Sequence, residues 1–350
     1  MSAKTISIDG SLGTGGGQIL RTAVGLSAAL GRSVEITNIR SGRAKPGLGH
    51  QHLSAVRAAA AICNARLTGD ALSSSEVIFR PGCITAGTYR FEVPTSGSAC
   101  LVLQTVIPAL MLADGESTVT VIGGTHNPLA PPFEYLRDVF AVLASSANLR
   151  VCFELSRAGL YPAGGGQIKM TISGIGSPEN VSAMRFTERG RLRRIDGVSA
   201  VTSKLPYDIA VRQSDRVRSR LAQSGKTVSM DKANLVSDSP GTAVFLRAVF
   251  ARSVAGFSSL GKQGKPAEHV ADEAADALLN FIGSPGVIDS RAADQLVTIA
   301  GMARGQSRFV TDIATDHLRT NAEAVRRITG RAIDVIDSTN RGATVIIGDP

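Results

Sequence analysis

Strand-like and helix-like stretches alternate along this chain from its first residues, with glycine-rich loops between them. Residues 5–9 alternate apolar with polar side chains, and after a glycine loop residues 18–30 carry apolar side chains at helical spacing. The same order of strand, loop and helix recurs, with a strand at 34–39, a basic loop at 40–50 and a helix at 51–63. This alternation is typical of an α/β (α+β) protein.

Further elements continue the pattern to the end of the chain. Strands are predicted at 77–79, 89–93, 118–122, 169–173 and 308–313, helices at 133–144, 206–224, 266–281 and 290–302, and a last helix and strand pair ending at 347. Beyond about Met184 the segment 185–194 is densely basic, and 242–257 alternates like paired strands. We interpret the chain as repeated two-helix modules with a separate, smaller domain.

Length and composition agree with two folded domains. The chain has 350 residues and 36.4 kDa, with 43% hydrophobic and 19% charged residues, which is globular rather than disordered. Four cysteines at least 17 residues apart form no CxxC pair, so neither a zinc site nor a redox dithiol is predicted. The longest apolar stretch, 99–113, is too short to span a bilayer, and no targeting segment precedes residue 10. We therefore expect a cytoplasmic protein without membrane contact.

The net charge is +9, and only eight of the 38 basic residues are lysine. Guanidinium groups grip phosphate through two parallel hydrogen bonds, so an arginine-rich excess favours a nucleotide or nucleic-acid partner. A compositional bias of the genome explains the same excess equally well.

Two loops are candidate phosphate sites. In residues 10–21, glycines at a strand-to-helix turn let backbone N–H groups converge on an anion, and Arg21 follows one turn into the helix. This loop is neither a Walker A loop nor a dinucleotide fingerprint, and a purely structural turn remains open. The second loop carries five potential cations on a strand-to-helix crossover: Arg40, Arg43, Lys45, His50 and His52.

The five histidines differ in what they offer. His269 is predicted to be a surface residue, and His126 a turn residue with a locally hydrogen-bonded ring. His317 is predicted in a loop three residues before a helix capped by Thr320, where an attached anion would feel the positive helix end. The chain has no Lys-x-Asp-Gly motif. If the protein activates a phosphate through a covalent nucleotide, a neutral imidazole is therefore the best nucleophile available, although this reasoning is not specific to His317.

Eight motifs together closely resemble the RNA 3′-terminal phosphate cyclase family, in family order and over nearly the whole chain. They are DGSLGTGGGQILRT (9–22), RAKPGLGHQH (43–52), LVLQT (101–105), GGTHNP (123–128) with APP (130–132), YPAGGG (161–166), GKPAE (264–268), DQL (294–296) and HLRTN (317–321).

The resemblance implies a large domain of three repeated two-helix, four-strand modules, covering 1–183 and 279–350, with a smaller α/β domain inserted in the third repeat at 184–278. It also implies a ligase-class reaction. ATP and Mg²⁺ or Mn²⁺ convert an RNA 3′-phosphate into a 2′,3′-cyclic phosphodiester through a histidine-bound AMP and an RNA adenylate, releasing AMP and diphosphate.

By the same resemblance, His317 is the residue that carries AMP. The implied phosphate-binding residues are Arg21, Arg40, Arg43 and Gln51, and the implied ATP-binding residues are Gln104, Arg291, Ala292, Ala293, Asp294 and Gln295. The chain departs from the family pattern at three positions. Thr14 replaces a glutamate implied to hold the metal, Arg291 replaces a tyrosine that stacks on adenine, and His126 replaces an aspartate.

Three alternatives accompany this interpretation. One is the ribosome-assembly relative of the cyclases, which lacks the nucleophilic histidine; His317 argues against it. Another is an impaired cyclase that binds RNA ends without turnover, as the changes at Thr14 and Arg291 would allow. The third is an enolpyruvyl transferase, which shares some repeat architecture but not the His317 motif.

Overall fold

The computed structural model describes residues 5–13, 15–338 and 342–348. These residues form four four-stranded mixed sheets with helices packed against them, which confirms the predicted mixed α/β class. Among the described helices, none combines the length and the apolar character needed to cross a bilayer.

The first sheet has the order β1-β2-β4-β3, with β1 and β2 parallel and the other neighbours antiparallel. Two helices connect its strands, and each of them has a glycine as its N-cap. The elements are β1 (Ile6–Asp9), α1 (Gly17–Leu30), β2 (Val34–Thr37), α2 (His50–Cys63), β3 (Arg66–Thr68) and β4 (Val77–Arg80).

The second sheet repeats that order as β5-β6-β8-β7. The helix predicted at 133–144 is interrupted by a π-helical segment, Leu136–Phe140. The elements are β5 (Thr88–Glu92), α3 (Ala99–Met111), β6 (Glu116–Gly123), α4 (Phe133–Tyr135), α5 (Ala141–Ala144), β7 (Arg150–Arg157) and β8 (Gly166–Ser173).

The remaining chain forms two sheets, and the strands of one sheet are inserted in the sequence between the first and second strands of the other. β9 (Arg185–Phe186) pairs with a strand more than 100 residues later in the order β9-β14-β16-β15, and the intervening strands have the order β11-β10-β12-β13. The elements are β10 (Leu192–Thr202), α6 (Asp208–Ala222), β11 (Ser229–Leu235), β12 (Thr242–Phe250), β13 (Val254–Leu260), α7 (Ala267–Ile282), α8 (Ser290–Ala300), β14 (Ser307–Thr311), α9 (Asp316–Thr329), β15 (Ile333–Ser338) and β16 (Gly342–Ile347).

Three sheets thus share one strand order, while the β10–β13 sheet with α6 and α7 has a hydrophobic cluster of its own. The three-repeat organisation and the division at 184 and 278 stay predictions. A division that follows the sheets would fall slightly later at both points, because β9 pairs with β14 and α7 continues to Ile282.

The main core lies where helices from the three similar sheets meet. α1 packs against α2, α3 and α9, and α9 packs against α8. The approach of α1 to α3 is close enough to require glycine, because a Cβ at Gly25 would lie 2.6 Å from the Thr105 carbonyl oxygen. This junction brings residues from distant parts of the chain to one place.

Candidate active site

A cavity of about 360 Å³ opens where α1, α3, α8 and α9 meet. Part of the lining is apolar and comes from Leu101, Ile107 and Pro108 of α3, from Phe140 and from the segment 129–131. The polar lining residues are Gln18, Arg21, Thr22, Gln104, Ser290, Arg291, Asp294, Gln295, Thr298, Thr315, His317 and Asn321. The cavity therefore brings together side chains predicted separately from four regions of the sequence.

His317 lies in the first turn of α9 rather than in a loop before it, so the predicted helix start was wrong. Thr315 caps α9 by accepting a hydrogen bond from the Leu318 N–H at 3.1 Å. Glu323, the other half of the predicted capping box, instead forms ion pairs with arginines one turn along the helix. The exposed His317 ring consequently sits at the positive end of the α9 dipole.

A hydrogen-bonded chain links His317 to a buried carboxylate. The Gln18 amide nitrogen donates to Asp294 Oδ1, and the Gln18 Oε1 lies 2.5 Å from His317 Nδ1. Because the carboxylate only accepts, the Gln18 oxygen must face the imidazole, and Nδ1 must carry the hydrogen. The lone pair of His317 is thereby left on Nε2.

Two further hydrogen bonds hold the helices in register around this chain. The Thr22 hydroxyl of α1 donates to Asn321 Oδ1 at 2.6 Å, and Asn321 Nδ2 donates to the Asp294 backbone carbonyl at 2.6 Å. Burial raises the pKa of Asp294, while His317, Gln18, Asn321 and Arg21 oppose that rise. Gln18, Thr22 and Asn321 thus join the three helices at the point where His317 and Asp294 meet.

Arg21 brings an unneutralised positive charge into the cavity. Burial lowers its pKa to about 10, partly offset by the charge of Asp294, so the guanidinium is still charged at neutral pH. No carboxylate among the described residues forms an ion pair with it. Since a half-buried cation without an ion-pair partner is incompletely solvated, an anion bound here would be stabilising.

A second arginine, Arg40, lies near Arg21, and the ring of His52 stands between the two guanidiniums. Burial and the charges of Arg21 and Arg40 lower the pKa of His52 to about 3. The sequence suggested a cation at His52; this was wrong, because two guanidiniums and burial disfavour a third positive charge. A Cβ at Gly17 would lie 2.0 Å from His52 Nε2, so any larger residue there would displace the imidazole ring.

The other predicted phosphate ligands lie next to this group rather than in the lining of the cavity. Arg40 has a positive φ of 54° and donates to the Gly47 carbonyl at 2.8 Å, while Arg43 is exposed. Gln51 Oε1 accepts from the Ser98 N–H at 2.7 Å, which leaves its amide nitrogen to donate elsewhere.

Four of the six predicted ATP ligands line the same cavity as Arg21 and His317. Gln104, Arg291, Asp294 and Gln295 line it, whereas the side chains of Ala292 and Ala293 are fully buried and do not. The Arg291 guanidinium lies over the Tyr135 ring, 5.3 Å from its centroid. Tyr135 and its hydrogen-bond partner Asp289 escaped the sequence analysis, because only the fold brings α4 beside α8.

His126 has the local hydrogen bonds expected for a turn residue. Its ring contacts the Thr125 hydroxyl at 2.7 Å and Glu134 Oε2 at 3.0 Å, inside the protein. Burial raises the pKa of Glu134, but the charge and hydrogen bond of His126 bring it below its ordinary value. His126 therefore anchors the 123–128 turn to α4.

The described residues offer little to hold a metal ion. They contain no cluster of three or more His, Cys, Asp or Glu side chains with suitable spacing. Thr14, predicted at the position of a metal-binding glutamate, lies outside the described residues. Asp294 is the carboxylate of the cavity, and one of its oxygens already accepts from Gln18.

Comparisons with known proteins agree with the motifs. The sequence profile of the RNA 3′-terminal phosphate cyclase family matches residues 12–335. A protein of that name from Methylococcus capsulatus is 40% identical over 99% of this chain and 97% of its own length. One from Archaeoglobus fulgidus is 37% identical over 94% and 97%, and one from Pyrobaculum neutrophilum is 40% identical over 92% of each chain.

Among solved structures, an EPSP synthase from Acinetobacter baumannii aligns with 99% of this chain and 65% of its own at 12% identity, with a TM-score of 0.35 too low to argue from. The sequence matches, by contrast, extend over both the glycine loop of α1 and the start of α9. The chain therefore belongs to the RNA 3′-terminal phosphate cyclase family.

Proposed function

We propose that this chain converts an RNA 3′-terminal phosphate into a 2′,3′-cyclic phosphodiester at the expense of ATP, releasing AMP and diphosphate. The observation that carries the proposal is the chain Asp294–Gln18–His317, which leaves an accessible imidazole lone pair at the mouth of a cavity containing an unneutralised arginine. Family membership supplies the substrate class.

In the first step, His317 Nε2 attacks the α-phosphorus of ATP. The Nε2–P bond forms, the bond to the bridging oxygen breaks, and diphosphate leaves with the electron pair. The imidazole becomes positively charged while Nδ1 keeps its hydrogen. The hydrogen bond to Gln18 Oε1, backed by Asp294, then becomes charge-assisted and strengthens as the step proceeds.

In the second step, an oxygen of the RNA 3′-phosphate attacks the histidine-bound AMP, and the N–P bond breaks. The terminal phosphate is now part of a mixed anhydride, and AMP is its leaving group. The adjacent 2′-hydroxyl closes the ring with loss of its proton. Closure is intramolecular, so proximity supplies much of the acceleration.

The basic groups divide between the two substrates. We propose that Arg21, which lines the same cavity as His317, neutralises the phosphates of ATP, and that Arg40, Arg43 and Gln51, beyond His52, hold the RNA terminal phosphate. Gln104, Arg291, Asp294 and Gln295 surround the nucleoside. Ala292 and Ala293 contribute through the backbone of α8, since their side chains are buried.

The described residues do not make a resident site for Mg²⁺ or Mn²⁺. Hard cations need several oxygen ligands, and only Asp294 offers a carboxylate in the cavity. No step of the mechanism above is therefore assigned to a metal held by protein side chains.

The test is labelling with ATP that carries ³²P at the α-position, followed by acid and alkali. A histidine phosphoramidate is acid-labile and alkali-resistant. His317→Ala should abolish the label, and His269→Ala, an exposed histidine on α7, is the matched control. An RNA oligonucleotide with a 3′-phosphate should become phosphatase-resistant with the wild type alone. A wild type that never labels would identify a binder of RNA ends instead.

A further inference from the structure

One turn at the cavity carries a leucine where the backbone conformation favours glycine. Residues 127–130 form a four-residue turn, closed by a hydrogen bond of 3.4 Å from the Ala130 N–H to the Asn127 carbonyl oxygen. Pro128 is its second residue, and its third residue, Leu129, has a positive φ of 63°. This is the pattern of a type II turn, whose third position is normally glycine or asparagine because other side chains are strained there. The turn would therefore form more easily without a leucine.

The side chain of Leu129 does not stabilise the fold in return. It is fully exposed, so no burial of apolar surface offsets the strain of its backbone. Leu129 nevertheless lines the cavity that contains Arg21 and His317. Strained residues persist where the surrounding structure enforces them, and they concentrate at sites that bind ligands. The apolar surface of Leu129 is therefore available to a ligand in this cavity.

Contacts on both sides of the turn enforce its conformation. The residue before the turn, His126, contacts Glu134 Oε2 through its ring Nε2 at 3.0 Å, inside the protein. Beyond the turn, the Phe133 N–H donates to the Thr125 carbonyl oxygen at 3.1 Å. These two contacts join the residues that flank the turn. The place of Leu129 at the cavity is thus fixed by the fold before a ligand binds, which lowers the entropy cost of binding.

The lining of the cavity favours ATP over RNA as the ligand that covers Leu129. The side chains proposed above to hold the RNA terminal phosphate do not line the cavity, whereas Arg21 and His317 do. These two residues are assigned to the phosphates of ATP, and phosphate groups gain nothing from an apolar neighbour. The nucleoside is the part of ATP with apolar faces, on its base and its ribose. A leucine at this cavity therefore suits the nucleoside.

We propose that Leu129 is a binding residue for the nucleoside of ATP, and for that of the AMP that stays on His317 after diphosphate has left. The inference rests on the occupation of this cavity by ATP, which the proposed function requires. The turn holds the leucine at the cavity, and the nucleoside covers its side chain on binding. Leu129 adds affinity for the nucleotide and takes no part in forming or breaking bonds.

The experiment measures the affinity for AMP by calorimetry and the dependence of His317 labelling on the concentration of ³²P-α-ATP. Covering about half of a leucine side chain strengthens binding by about three- to tenfold. Leu129→Asn suits the left-handed backbone but loses the apolar surface, so it should weaken AMP binding and raise the half-saturating ATP concentration by that factor. The maximal labelling rate should change by less than about twofold, because the contact is the same before and during the reaction. The loss of affinity should be smallest for Leu129→Met, larger for Leu129→Ala and largest for Leu129→Asn.

Ser73→Asn is the matched control. Ser73 also has a positive φ, of 64°, and it is exposed and does not line the cavity. Asparagine adopts this backbone conformation more readily than most residues, so neither Leu129→Asn nor Ser73→Asn should lower the midpoint of thermal unfolding. Leu129→Asn should weaken nucleotide binding, whereas Ser73→Asn should not. Weaker binding without lower stability distinguishes a ligand contact from a residue that serves the fold.

The outcomes separate this inference from the proposed function. If Leu129→Asn binds AMP as tightly as the wild type, or raises the half-saturating concentration of RNA alone, the inference is wrong and the proposed function stands. If Leu129→Asn lowers the midpoint of unfolding and Ser73→Asn does not, Leu129 serves the fold, and the inference is also wrong. If the wild type binds AMP but is never labelled by ATP, the covalent step fails, while weaker AMP binding by Leu129→Asn still supports the contact. If AMP does not bind the wild type, both proposals fall.

Discussion

Replacing Gln18 tests whether the chain from Asp294 to His317 has a role in the reaction. Gln18→Met keeps the length and approximate volume of the side chain but removes both its donor and its acceptor. Nδ1 of His317 then has no fixed partner, so the imidazole can rotate and carry its hydrogen on either nitrogen. We expect ATP to bind almost as before and the nucleotidyl transfer step to slow.

The magnitude follows from the change in charge during the step. A neutral hydrogen bond contributes about 1 kcal/mol, and one from a charged donor about 1.5–3 kcal/mol. The imidazole is neutral before attack and cationic after it, so the bond to Gln18 gains about 1–2 kcal/mol in the transition state, or about 5–30-fold in rate. Loss of the preferred ring orientation adds to that.

The assay is single-turnover labelling with saturating ³²P-α-ATP, in which the rate constant reports the chemical step and its dependence on ATP reports binding. Gln223→Met, an exposed glutamine after α6, is the matched control. Thermal unfolding of each variant separates a damaged fold from a slower reaction. A Gln18→Met enzyme that labels within about twofold of the wild type, while His317→Ala stays unlabelled, would refute the reasoning.

Three further predictions concern charge. Between about pH 6.5 and pH 3 the free energy of unfolding should decrease as pH falls, because His52, with its pKa lowered to about 3, stays neutral when folded but takes up a proton when unfolded. In chemical denaturation across that range, the free energy of unfolding of His52→Asn should decrease less steeply than that of the wild type. Arg21→Met should raise the midpoint of thermal unfolding, since it removes a half-buried cation without an ion pair, while lowering kcat/KM for ATP by about 10–100-fold; a variant that loses stability and keeps activity contradicts this. RNA affinity should fall linearly on a log–log plot against salt, and a smaller slope for Arg43→Gln, measured by fluorescence anisotropy, would place Arg43 on a phosphate.

Much of the fold class could be predicted from local patterns. The alternation of strand and helix periods is a local property, and glycine loops such as that before α1 mark the crossovers directly. The start of α9 was misplaced because two capping patterns overlap there. Thr315 with Asp316 in the first turn competes with Thr320 and Glu323, and the structure uses Thr315. Only the packing of α9 against α1 and α8 decides which of the two threonines caps the helix.

The candidate site was predictable residue by residue but not as an arrangement. Arg21 and His317 stand out in sequence because their loops are unusual, yet nothing local says that they share a cavity. Gln18 did carry a signal, since it lies three residues before Arg21 and so on the same face of α1. Its two partners lie 276 and 299 residues away, beyond the reach of any pattern.

The electrostatics of the site explain why a neutral residue, His52, lies between the two arginines Arg21 and Arg40. His52 separates Arg21 from Arg40 with a ring that stays neutral because it is buried and because both neighbours are cationic. A carboxylate in that place would satisfy both arginines and leave no reason for an anion to bind, whereas a third cation would push them apart. A neutral imidazole keeps the guanidiniums of Arg21 and Arg40 close together without neutralising either. Both charges therefore remain available to bind two phosphate groups side by side before either phosphate reacts.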